Sequence, residues 1–399
     1  MTALAAGSRA PSLGFTLVLG MIMAVGPLTI DLYLPAFPAI ARDLAATEGQ
    51  VQYTLAVYLF GMALGQAIYG PITDKYGRRA PLLGGLLLYV LGAMLCALAP
   101  SIGLLILGRM IQALGGAAGA VVVSAVVRDR YEGRAAASLF STLMLVMGVA
   151  PAIAPTLGTW ILNLLNWRAM FIVLAGYGLL ALLLTALRLP ETHPVAARAG
   201  MRLRDTAGVY AGLVRRRQFI AYALAGGFSF GAMFAYITGS PFLFLQELHA
   251  TPGLYALLFG VNAAGLVAAS QVNRALLRRF EPGQIARWAG RAVLLIGGLL
   301  LAGALLAVLS IPLVATLFFA LLCSTGLLFP NNAALALSSV TQRVGSASAL
   351  NGTLQSALGA LSGTLVGALG GGSSAIMAVI FGYGLCVVLC HAVARRAGD

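Results

Sequence analysis

Charge is the first thing this sequence lacks. Asp and Glu together number 11 in 399 residues, and charged residues of both signs make up 9%. Soluble domains carry roughly 25%, so a water-soluble globular fold is excluded and an integral membrane protein is expected. Groups that do chemistry are also scarce. The three histidines are His193 in a polar connector, His249 in a loop and His391 near the end of an apolar stretch. None stands where an intramembrane nucleophile or metal ion would need it. Cys96, Cys323, Cys386 and Cys390 all fall in apolar stretches without metal-ligand spacing. They read as small core hydrophobes, Cys386 and Cys390 included although one turn apart. No enzyme, metal or cofactor is expected. Strict apolar–polar alternation is missing too, which excludes an outer-membrane barrel.

What is present is a series of apolar spans of ~20 residues or more, the length of a membrane helix. They fall near 14–37, 51–72, 80–99, 102–126, 136–162 and 167–187, then 218–244, 253–276, 285–309, 311–337, 346–370 and 373–393. The reading is an all-α protein of twelve transmembrane helices in two six-helix bundles, 1–187 and 218–399. A basic connector, 188–217, joins them. The first span is too long, and lacks the charged leader and small-residue cleavage site, to be a removed signal peptide. Ser310-Ile-Pro312 and Gly370-Gly-Gly-Ser must form tight turns between adjoining spans.

The net charge of +14 raises the question of nucleic acid, and its distribution answers it. With both termini on one side, every Lys and Arg falls on that side except Arg42, Arg168 and Arg109. That is the positive-inside pattern, so both termini are expected in the cytoplasm and the partner is a lipid bilayer.

Two charges lie inside spans. Asp31, in Thr29-Ile-Asp-Leu-Tyr-Leu-Pro35, is the only acid there, and Arg109, in Leu107-Gly-Arg-Met-Ile-Gln112, the only base. A charge at membrane depth costs ~2.5–3.5 kcal/mol on insertion scales and marks function by default. Counted at 1.5 Å per residue from the outer ends of their spans, Asp31 lies ~10 Å in and Arg109 ~12 Å in. One shared water-filled cavity is the economical expectation. Aligned on Pro35 and Pro241, Asp31 matches Ile237, so the second half repeats no acid.

Several motifs resemble those of the major facilitator superfamily. Gly70-Pro-Ile-Thr-Asp74-Lys-Tyr-Gly77-Arg78-Arg79 is similar to its loop signature, Arg109 to Gly116 to its fourth-helix arginine motif, and Trp167-Arg168-Ala-Met-Phe171 to its sixth-helix entry. Gly148-Val-Ala-Pro151-Ala-Ile-Ala-Pro155-Thr-Leu-Gly158 is similar to the antiporter motif of its drug exporters, with Ala154 and Thr159 where that motif has glycines. With Arg128-Asp-Arg-Tyr131, Phe329-Pro-Asn-Asn332 and Gly345 to Leu350, the chain resembles the Bcr/CflA branch, bicyclomycin- and chloramphenicol-type drug:proton antiporters of bacterial inner membranes.

The resemblance implies a monomeric exporter rocking two halves about a midplane site and driven by the proton-motive force. It makes Gly70, Asp74, Gly77, Arg78, Arg79 and Arg128 a conformational latch. Asp74 is expected to meet Arg128 or the start of the eleventh span near Gly345. Asp31 and Arg109 are the expected proton-coupling pair, since burial and a nearby cation act oppositely on a carboxyl's proton affinity. Substrate contacts are expected from Asp31, Tyr33, Tyr58, Arg109, Gln112, Phe230, Phe234, Tyr236, Asn331 and Gln355. Each polar member of that wall, Asn262, Asn332 and Asn351 included, is alternatively an interhelical hydrogen bond worth ~0.6 kcal/mol. Gly359, Gly363 and Gly367, spaced by four, read as a close-packing face. The other transport reading is proton-coupled uptake of a nutrient. A structural or receptor protein would need no buried acid, buried arginine and loop signature together.

Overall fold

A computed structural model describes residues 12–131, 133–193, 203–340 and 344–398. Arg9, Arg198, Arg202 and Arg343, and the side chains of Arg128, Arg134 and Arg204, lie outside the described residues, as does part of the connector. Among the described residues every element is helical. In chain order they are α1 (Leu13–Asp31), α2 (Phe37–Asp43), α3 (Glu48–Tyr76), α4 (Arg79–Ala97), α5 (Ile102–Arg130), α6 (Gly133–Leu164) and α7 (Trp167–Arg188). After the connector helix α8 (Leu203–Val214) come α9 (Arg217–Phe242), α10 (Pro252–Leu276), α11 (Pro282–Leu305), α12 (Ile311–Ser338), α13 (Val344–Ala368) and α14 (Ser373–Gly398).

Ten helical segments among the described residues are long and apolar enough to cross a membrane, with α1 and α2 forming one of them. Large apolar side chains such as Leu91, Trp160, Leu295 and Leu389 are exposed on helix faces, which suits hydrocarbon as solvent.

Helix ends follow local chemistry. Thr47 and Gln50 form a reciprocal capping box at the start of α3, and Ser101 and Asn166 cap α5 and α7. Gly77 leaves α3 at φ +89, a conformation that glycine adopts without strain. Gly370 and Gly371, at φ +95 and +78, make the tight turn that the run of glycines demanded before α14.

Among the first seven helices α4 lies on α5 and α7, α5 on α3, and α1 on α6. From α9 onward, α9 packs on α12, α13 and α14, and α11 on α12 and α14. Two pairs make the most extensive contact between the groups, α3 with α13 and α6 with α10. The glycine face is the reason α13 can meet α3. A Cβ on Gly363 would lie 3.1 Å from Ala56 Cβ, and one on Gly367 3.1 Å from the Gly49 carbonyl oxygen. Backbones approach there because no side chain stands between them.

Candidate functional site

The site begins where α1 stops. Proline lacks an N–H, and its ring clashes with the carbonyl four residues back. Pro35 directs that clash at Asp31, which is the last residue of α1. A 3₁₀ turn, Leu34–Ala36, and α2 carry the chain onward. The acid therefore sits at an interruption inside a membrane-crossing segment, where a continuous helix was expected. The Asp31 side chain is 3% exposed, and its Oδ1 is buried with no hydrogen-bond partner. It lies in electrostatic range of the Tyr236 and Tyr255 hydroxyls, on α9 and α10. The second half repeats no acid, yet it brings two tyrosines near this one.

Arg109 is engaged elsewhere. It is wholly buried, with Cζ 4.4 Å from the Tyr33 ring centroid and 4.2 Å from that of Tyr58. The Phe171 ring lies at 5.9 Å. Nη1 donates to the Thr29 carbonyl at 3.2 Å and to Gln112 Oε1 at 2.8 Å. Nε and Nη2 have no hydrogen-bond acceptor and meet ring faces. Desolvated cation–π contacts of this kind are worth about 2 kcal/mol. Asp31 and Arg109 form no ion pair among the described residues. They are linked through α1: Arg109 holds the Thr29 carbonyl, two residues before the acid. Tyr33 points into the same cluster, with its hydroxyl 3.1 Å from that of Thr54.

The rest of the expected wall divides into separate groups. Phe230 and Phe234 pack together at 4.6 Å, with Phe329 at 6.0 Å from Phe230. Tyr236 accepts a 2.9 Å bond from Asn262 and packs on Phe259 and Phe318. Asn331 donates to Asn273 at 2.7 Å and to its own helix, so it ties α12 to α10. Gln355 is half-buried near Gly226 of α9.

Gly158 has a definite task. A Cβ there would lie 2.0 Å from the Leu32 carbonyl oxygen, so only glycine lets α6 abut the chain just after Asp31. Pro151 and Pro155 lie inside α6, and Thr159 returns a hydrogen bond to the Pro155 carbonyl. Gly148 stands in the same helix; beyond that it lies outside the described side chains.

The Arg-rich end carries a second network. Arg78 bonds Asp74 at 2.5 Å and Asp129 at 2.9 Å. Burial opposes its charge, but the bonds to Asp129 and Asp74 outweigh it and raise its proton affinity further. Glu191 accepts from the backbone N–H groups of Arg78 and Arg79 at 2.9 and 3.3 Å, and Arg79 donates to the Ala186 carbonyl. Asp74 is thus held within its own loop, and the Tyr210 side chain of α8 is in electrostatic range of it. Gly70 has open space around it, and its carbonyl accepts from Thr73.

At the opposite end the Trp167 indole donates to Asp43 at 2.9 Å, and Arg168 pairs with the same carboxylate. Trp167 is 3% exposed and acts as a buried clamp at the start of α7.

With this geometry in place, comparison with known proteins decides the family. Residues 17–364 match the family model of the Major Facilitator Superfamily. The chain belongs to that superfamily. It is a multi-pass membrane transporter. It is similar to a bicyclomycin resistance protein homolog of Haemophilus influenzae, 32% identical over 376 residues and 94% of both chains. It is also similar to a chloramphenicol resistance protein of Pseudomonas aeruginosa, 32% identical over 293 residues, 73% of this chain and 67% of that one. Among solved structures, a D-xylose-proton symporter superposes with a TM-score of 0.70 at 17% identity, covering 96% of each chain, a likeness of fold.

Several superfamily-motif residues do work that sequence reading passed over. Phe171, quoted only as part of the α7 entry, completes the collar around Arg109. Asp129, quoted only within Arg-Asp-x-Tyr, anchors the loop arginine. An acid one residue from the Arg-rich end of a span was the available signal for it. Tyr255 and Glu191 carried no signal, because Ser240 and Arg78, which they reach, lie 15 and 113 residues away in sequence.

Proposed function

We propose that this transporter exports small amphipathic antibiotics or toxic compounds across a bacterial inner membrane in exchange for protons. It works by alternating access, without a cofactor, on the proton-motive force. In this reading twelve helices span the membrane with both termini in the cytoplasm. The bundles 1–187 and 218–399 rock about the site, joined by 188–217, and one monomer suffices.

One observation carries the reading: Asp31, at a helix break, keeps a buried carboxyl oxygen without a partner and lies within electrostatic range of Tyr236 in the second half. Buried acceptors are nearly always satisfied, so one left open is held for a proton or a polar group of the substrate. A proton entering from the periplasm neutralises Asp31 and releases the substrate, and its loss to the cytoplasm restores the acceptor. Arg109 acts through position. Stacked on Tyr33 and Tyr58 and bonded to the Thr29 carbonyl, it holds the end of α1 in register with α5.

The names of the resistance-associated relatives support export over uptake. The test is a drug-susceptibility panel in an efflux-deficient bacterial host, including bicyclomycin and chloramphenicol. Wild type should raise resistance to at least one compound, and Asp31→Asn, inserted to the same level, to none. Direction is read by counterflow in everted vesicles at two pH values. Accumulation driven by an acidic interior supports export; substrate leaving those vesicles along with protons would establish uptake.

A further inference from the structure

Asp43 is an acid in an unfavourable place. It ends α2, where the backbone dipole already presents negative charge. It also stands 12 residues beyond Asp31, on the segment that carries the chain away from the break. That helix has 7 residues, and one so short takes its order from what it packs against. Its first turn is held by rings, with Phe37 at 5.0 Å from Tyr33 and 5.9 Å from Phe242 of α9. Its last turn is held by polar groups: Asp43 Oδ2 accepts from the Trp167 indole at 2.9 Å and from Arg168. Arg168 also donates to the Ala99 carbonyl at 3.2 Å, so α2, α7 and the α4–α5 connection meet at one ion pair. Arg168 departs from the positive-inside pattern, and Asp43 supplies its countercharge. Trp167 carries the contact inward. Its ring meets Phe171 edge to face at 6.1 Å, and Phe171 meets Tyr33 at 5.5 Å, within the collar around Arg109.

We propose that Asp43 is a positioning residue of the transport site. By clamping the far end of α2 to α7, it fixes the segment that follows the break and keeps Asp31 in its dry position, 3% exposed. Half-exposed ion pairs contribute little to stability, so the effect of this one lies in geometry rather than in holding the fold. Small displacements of a reacting group slow its chemistry even when their origin is remote. The role rests on Asp31 being the coupling acid, and concerns what holds that acid in place.

The test treats the purified intact protein in proteoliposomes with a water-soluble carbodiimide, and peptide mass spectrometry locates modification of Asp31. Asp31→Asn serves as the blank. In wild type the buried carboxyl should be modified slowly. Asp43→Ala should speed that modification several-fold and lower drug-driven proton movement, with a thermal midpoint close to wild type. Arg168→Gln breaks the same clamp from α7 and should act in the same direction, which keeps the test open if the first variant misfolds. Asp43→Glu, which keeps the charge, should stay nearer to wild type than Asp43→Ala in both readouts. Modification at the wild-type rate in Asp43→Ala and Arg168→Gln would overturn the proposal. Faster modification that merely follows a fall in thermal midpoint would overturn it as well, by showing a clamp that serves stability alone. The carbodiimide readout does not depend on transport. Proton movement by Asp31→Asn equal to wild type would therefore remove the role of Asp31 in coupling, and the effect of the clamp on its exposure would still be measured.

Discussion

At the scale of the residue, Arg109 draws on ring faces, a backbone carbonyl and Gln112 where a soluble protein would supply a carboxylate. Lysine keeps the charge but not the planar surface that stacks on Tyr33 and Tyr58 or the fork that reaches Thr29. Arg109→Lys should therefore destabilise the protein by about 2 kcal/mol, read as a lowered thermal midpoint in detergent, and should impair efflux. Unchanged stability and transport would show that charge alone matters. That a lone arginine and a lone acid stand at membrane depth was legible in the sequence, because each is an expensive exception in an apolar span. That the two form no ion pair was not. Depth along a helix follows from counting residues, but the face a side chain presents depends on the rings packed beside it, and Phe171 comes from α7, 62 residues beyond Arg109.

At the scale of the element, two features shape the break after Asp31. Pro35 stops α1, and Gly158 lets α6 reach the carbonyl of Leu32. Pro35→Ala restores a backbone N–H that can bond the Asp31 carbonyl, so α1 can continue. The variant should be at least as stable as wild type in thermal unfolding yet transport less. A loss of both would show that the break serves stability alone. Gly158→Leu should reduce transport sharply, whereas Gly26→Leu, which meets nothing within 4 Å, should be tolerated. The pair is read side by side as drug resistance at matched expression. Helix existence and the glycine face of α13 were legible, since each rests on local backbone chemistry. The break between α1 and α2 was not, because the apolar pattern runs through it unchanged.

At the scale of the whole molecule, the loop network and the central site are separate parts of one machine. Arg78 binds Asp74 and Asp129 together, so the loop after α3 is tied to the end of α5. Asp74→Asn and Asp129→Asn should each slow transport, and the double variant should lose less than the sum. Coupled neighbours depart from additivity by about 0.5–3 kcal/mol, and a double-mutant cycle on transport rates reads the difference. The fold was legible as a whole from span lengths and signatures, while approaches across the molecule, such as that of Asp31 to within electrostatic range of Tyr236 and Tyr255, required three dimensions. The central claim is that Asp31 carries the coupled proton. It is tested most directly in proteoliposomes holding purified protein and a pH-sensitive dye, with a drug identified by the susceptibility panel added outside. Wild type should move protons against the drug when it is added, and Asp31→Asn, reconstituted to the same level, should move none. Proton movement by Asp31→Asn equal to wild type would contradict the account.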